Sequence, residues 1–64
     1  MKSEDIETIL DRLADGSVKA KNHFERRKYD KAAYGFIRKL YGVEDLEKVK
    51  YYDDYYLSVK RSIL

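Results

Sequence analysis

His23 is the only histidine in a 64-residue chain that has no cysteine, and a protein zinc site needs three or four such ligands. No metal centre is expected. The hydroxyl side chains are Ser3, Thr8, Ser17, Ser58 and Ser62, and none stands in a recognisable pattern with a base. Gly16, Gly35 and Gly42 are isolated, so no glycine-rich loop is present to cradle a phosphate. Asp53 and Asp54 are adjacent, and neighbours on a helix point about 100° apart, so they do not chelate one cation together. The residue types argue against an enzyme, a cofactor or a small-molecule substrate. What remains is the chemistry of binding.

Two groups of residues suit that chemistry. Lys19, Lys21, Arg26, Arg27, Lys28 and Lys31 lie within thirteen residues, with His23 and Tyr29 among them. Cations interleaved with aromatics are a footprint of nucleic-acid binding, because Lys and Arg neutralise phosphates while rings stack on bases. Projected on a helix, Lys19, Arg26 and Lys28 fall away from Arg27 and Lys31, so the charge wraps around the axis. A strongly acidic protein would also suit this segment. So would a plain role as a solvated face neutralised by acidic neighbours.

Tyrosines form the other group. Seven occur in the chain, four of them in the run Tyr51-Tyr52-Asp53-Asp54-Tyr55-Tyr56. Tyr buries a large rigid area and keeps a polar tip, which favours it at binding interfaces. Tyr51, Tyr52, Tyr55 and Tyr56 are therefore the expected docking residues for a protein partner or a second copy in a homodimer.

The elements that carry these groups read as helices. Ser3 is a candidate cap, followed by Glu4 and Asp5 where the helix dipole favours anions. Ile6, Ile9, Leu10 and Leu13 then share one stripe, and Gly16 is placed to end the helix in a left-handed turn. Ala32, Ala33, Phe36, Ile37 and Leu40 form another stripe, which Gly42 stops. Between them two starts compete: Asn22 with Glu25, and Asp30 before Lys31-Ala32-Ala33. The reading is one helix near 18–28 and another near 30–41, broken or bent at Tyr29-Asp30.

The last element opens at Glu44 and Asp45. Leu46, Val49, Tyr52, Tyr56, Val59 and Ile63 recur at helical spacing, and Tyr51, Tyr55, Leu57 and Leu64 widen the arc beyond half the circumference. A helix on a single neighbour needs a stripe of only about 100°, so this one is expected to pack on two sides, the second against another copy of the chain or a partner. Asp53 and Lys60 project into that arc. Charges on such a seam set register, paired with another helix of this chain or of a second copy.

Composition agrees with this architecture. Ile, Leu, Val and Phe total 16 of 64 residues, above the floor of about 20% below which a charged chain is disordered. Charge is uneven: −3 over residues 1–16, +6 over 17–42 and −1 over 43–64. No apolar run approaches the roughly 18 residues that cross a bilayer, and the polar start Met1-Lys2-Ser3-Glu4-Asp5 resembles no secretory or transit signal. The expectation is a single cytoplasmic all-α domain, a bundle of three to four helices with a long C-terminal one. It would be a non-enzymatic regulator, adaptor or inhibitor that docks a protein through its Tyr-rich last helix. The alternative is a small nucleic-acid-binding regulator that uses residues 19–31.

Overall fold

Glu4 and Asp5 occupy the first turn of helix α1 (Ser3–Lys19) in the computed structural model, which describes all 64 residues. Ser3 does not cap it. Lys2 holds the cap position with no side-chain bond, while Ser3 Oγ donates to Glu7 at 3.1 Å and shares a 3.0 Å hydrogen bond with the Tyr52 hydroxyl. That second bond ties the start of the chain to the last helix.

Gly16 does not end α1 either. The helix runs on to Lys19, and the only positive φ in the chain is that of Gly42. The physical reason lies in the neighbouring helix. A Cβ at position 16 would stand 2.7 Å from Cζ and 2.8 Å from Cδ1 of Tyr29, so the missing side chain is what lets that ring approach. Val18 and Lys19 therefore belong to α1.

The second helix, α2 (His23–Leu40), is continuous through Tyr29 and Asp30, which corrects the expected division into two. Of the competing starts, Asn22 is the one used. Its side chain accepts from the Glu25 backbone N–H at 2.9 Å, and Glu25 reaches back to the Lys21 N–H at 3.1 Å. This reciprocal pair satisfies donors that a helix start otherwise leaves open. Asp30 loses as a cap because its carboxylate accepts hydrogen bonds across the bundle instead. Gly42, at φ 57°, ends the segment as its residue type predicts.

A single 3-10 turn over Gly42–Asp45 leads into α3 (Leu46–Ile63), with Asp45 as its cap, accepting from the Lys48 N–H at 3.3 Å. The architecture is all-α. At 18 residues α3 is long, and α2 equals it. The cross-links give the directions: Asp30 meets Lys60 while Arg38 meets Asp53, and Ser3 meets Tyr52 while Asp11 meets Tyr55. So α2 runs antiparallel to both others, and α1 and α3 run the same way. No helix is long and apolar enough to cross a membrane.

The core is narrow. Ile6, Leu10, Ala14, Ala33, Ile37, Val49, Tyr52 and Tyr56 are buried, with Leu13, Tyr34, Phe36, Tyr41, Tyr55 and Val59 packed around them. Tyr34 meets Tyr56 edge to face at 5.5 Å, and Tyr41 stacks on Tyr52 at 5.6 Å. Such pairs add to the burial of their area. Helix α3 packs against both α1 and α2, so one chain supplies both sides of its wide apolar arc. Its ends fit less well: Leu46 is two-thirds exposed, and Ile63 is partly so.

One polar centre joins all three helices. Asp30 Oδ1 accepts from Ser17 Oγ at 2.7 Å, from the Tyr56 hydroxyl at 2.7 Å and from Lys60 Nζ at 2.9 Å. Lys60 also reaches Oδ2 at 3.1 Å. Ser17 and Tyr56 are buried, so this cluster satisfies hydroxyls that would otherwise weaken the fold. Burial alone would raise the Asp30 pKa. The hydrogen bonds from Tyr56, Lys60 and Ser17, with the Lys60 charge, outweigh it and hold the carboxyl below its ordinary value.

Candidate nucleic-acid interface

The six expected cations do not stay together. Lys19 ends α1 and pairs with Asp15 at 3.0 Å, one helical turn away. Lys21 lies in the connector, where the cap of α2 uses its backbone N–H. Arg26 turns to the opposite side of α2, beside Val18, Lys60 and Leu64. The remaining three, Arg27, Lys28 and Lys31, converge on the outer side of α2.

Phe24 joins them there. Phe24, Arg27, Lys28 and Lys31 follow one another at the spacing of a single helical ridge and line a shallow depression of about 370 Å³. This corrects the expectation that Lys28 falls away from Arg27 and Lys31. Those two neighbours flank the ridge at about 50° to either side, and both side chains are long enough to bracket it. Phe24 is 80% exposed. Phe24 is not among the residues expected from the sequence to bind, because it is neither a cation nor one of the clustered tyrosines. The spacing from Phe24 to Lys31 carried the signal.

No ion pair draws on the cations of this ridge. The ion pairs of the molecule are Asp15–Lys19, Arg38–Asp53 and Asp30–Lys60, so Arg27, Lys28 and Lys31 have no acid within 4.0 Å. Arg27 and Lys31 are like charges one turn apart, an arrangement that weakens a helix. Local stability does not account for them. All residues from Lys21 to Tyr29 are exposed, so the first two turns of α2 stand clear of the bundle on their outer side.

Lys28 also borders a second groove of about 380 Å³, lined by Leu13, Glu25, Tyr29 and Ala32 between α1 and α2. Leu13, Tyr29 and Ala32 are its apolar members. The two depressions adjoin at Lys28.

The expected docking tyrosines are placed quite differently. Tyr52 is 5% and Tyr56 0% exposed, so neither presents a surface to a partner. Tyr55 is half-buried and donates to Asp11 Oδ1 at 2.7 Å; burial, then the neighbouring carboxylate, hold its phenol well above the ordinary range. Only Tyr51 remains open, at 55%, edge-on to Tyr52. Asp53 and Lys60 find their partners inside the chain. Arg38 grips Asp53 with two hydrogen bonds of 3.1 and 2.9 Å, and Lys60 takes Asp30.

His23 is exposed at the start of α2, and no three His, Cys, Asp or Glu side chains gather in a metal-holding group. No protein-family model matches the chain, and no curated protein or solved structure is significantly similar to it.

Proposed function

We propose that this chain is a non-enzymatic binding module that holds nucleic acid on the outer face of α2. One observation carries the reading: Arg27, Lys28 and Lys31 stand on an exposed ridge with Phe24, and none of the three is held in an ion pair. Long flexible cations serve phosphate contacts, which fix affinity without reading sequence. The formal net charge of only +2 understates the local field, because the acids lie mainly in the first and last parts of the chain.

Fluorescence polarisation with labelled oligonucleotides over a salt series tests this. Affinity should fall steeply with salt, with a log–log slope of about −2 to −3 for three phosphate contacts. Replacing Arg27, Lys28 and Lys31 together by Gln should remove most of that slope, while Arg26→Gln, on the other side of the helix, should leave it nearly unchanged. A wild-type protein that binds no DNA or RNA at low salt refutes the reading.

A second reading keeps the last helix as a docking surface for a protein partner or a second copy, and Tyr51 is the observation in its favour. One open ring is a small anchor beside the ridge on α2. A Tyr51→Ser variant that loses oligomers seen for the wild type by sedimentation would bring this reading forward.

A further inference from the structure

We propose that the ligand of the α2 ridge is an unpaired strand, with Phe24 as the platform on which a base stacks. This rests on the nucleic-acid reading and narrows it to single-stranded DNA or RNA.

The argument begins with the ring. A phenylalanine 80% exposed contributes almost nothing to the fold. It lies in the first turn of α2, where the cap formed by Asn22 and Glu25 holds the backbone without help from its side chain. No other apolar residue lines its depression, which it shares with Arg27, Lys28 and Lys31; the groove of Leu13, Tyr29 and Ala32 begins on the far side of Lys28. An apolar docking patch for a protein would surround the ring with other apolar side chains, as the interior of an interface does. Here the ring is surrounded by cations instead. That pairing of a π-face with phosphate-binding side chains is how single strands are held, since every base offers a face to stack and every linkage a charge to neutralise.

The dimensions agree. From Phe24 to Lys31 the helix rises about 10 Å, which is the length of only a few nucleotides in an extended strand. The ridge is one residue wide, with Arg27 on one flank and Lys28 on the other. A strand lying along it would set one base on Phe24 and pass adjoining phosphates along Arg27, Lys28 and Lys31. A duplex keeps its bases stacked on each other and offers the ring no face.

The test compares a labelled oligothymidylate, the corresponding oligouridylate and a mixed-sequence duplex of equal length, with poly-glutamate as a competitor. The chain has no Trp, so F24W also supplies a single stacking-sensitive fluorophore at the site. The expected result is single-strand affinity at least tenfold above that for the duplex. F24A should lower single-strand affinity about tenfold or more, with its salt slope and helicity unchanged, and F24Y should retain it. F24W fluorescence should be quenched by the single strands and not by the duplex.

Duplex binding as tight as single-strand binding, or single-strand binding indifferent to F24A, overturns this inference and leaves the broader nucleic-acid reading standing. Absence of binding to every oligonucleotide overturns both. Poly-glutamate that displaces the oligonucleotides at equal charge concentration also overturns both, and identifies an acidic protein surface as the ligand.

Discussion

Tyr29 of α2 lies so close over Gly16 of α1 that a single added carbon would overlap its ring. The pair lets α1 and α2 approach one another, and it shows why a glycine that looks like a stop sits inside a helix. Tyr29 is 38% exposed, so part of it still faces solvent.

The sign of a Gly16→Ala change therefore depends on Tyr29. In the wild-type background the added methyl must displace the ring, so the gain in helix propensity, about 1 kcal/mol, should be cancelled or reversed. With Tyr29→Ala the same substitution should stabilise by nearly the full propensity gain. A double-mutant cycle from urea midpoints measures the difference, and strict additivity would contradict the packing described.

The Asp30 cluster should be the most sensitive polar site. Asp30→Ala leaves the buried Ser17 and Tyr56 hydroxyls and the Lys60 ammonium without their common acceptor. Both ends of the Lys60–Asp30 pair retain some exposure, which moderates the loss. We expect a cost of about 2–3 kcal/mol. Tyr56→Phe removes one donor only and should cost about 1–2 kcal/mol. Chemical denaturation of the two variants checks the order.

Acid should weaken the fold through the same residue. The folded pKa of Asp30 lies below its ordinary value. Its contribution is therefore fully present above the unfolded value of about 3.9 and is lost as pH falls through the folded one. The stability gap between wild type and Asp30→Asn should be constant from pH 5 to 7 and shrink below pH 4. A gap that persists unchanged to pH 2 would mean that the carboxylate charge is not what the cluster uses.

Alkali should act through Tyr55 and Tyr56. Burial, and then the carboxylates of Asp11 and Asp30, push these phenols well above the ordinary range. An acid with a raised folded pKa stabilises the fold below its unfolded pKa, about 10 for Tyr, and that contribution is lost as pH rises through the folded value. The wild type should lose stability above pH 10 more steeply than a Tyr55→Phe, Tyr56→Phe variant. Spectrophotometric titration should show these two phenols ionising after the others.

Arg38→Gln should matter little. Its bidentate bond to Asp53 has good geometry, yet the Arg38 side chain is half exposed, so solvent screens the pair. A loss of less than about 1 kcal/mol is expected, smaller than that at Asp30. Thermal unfolding at low and high salt separates the two sites.

Much of the fold is legible in the residues themselves. The stripes of Ile6, Leu10 and Ile37 announce helices because burial on one side imposes a period near 3.6. The acceptors at Asn22 and Asp45 and the left-handed turn at Gly42 follow from local backbone chemistry alone, so they appear where their residue types suggest. The width of the α3 arc announced a second neighbour, but the residues did not say that α1 and α2 of the same chain would fill both places; the charges at Asp53 and Lys60 foretold partners across a seam.

What stayed hidden depended on residues distant in the chain. Asp30 has the chemistry of a cap, and only the arrival of Ser17, Tyr56 and Lys60 made it a hub. Gly16 has the chemistry of a stop, and only Tyr29 made it a contact. The four neighbouring tyrosines are alike as residues, yet packing buried two, bonded a third to Asp11 and left Tyr51 open. The ridge on α2 was divided wrongly because phase was judged by Cα direction, whereas long side chains bracket a ridge from both flanks. Local preferences are settled within a turn or two of chain; the use of each polar group is settled by which helix comes to face it.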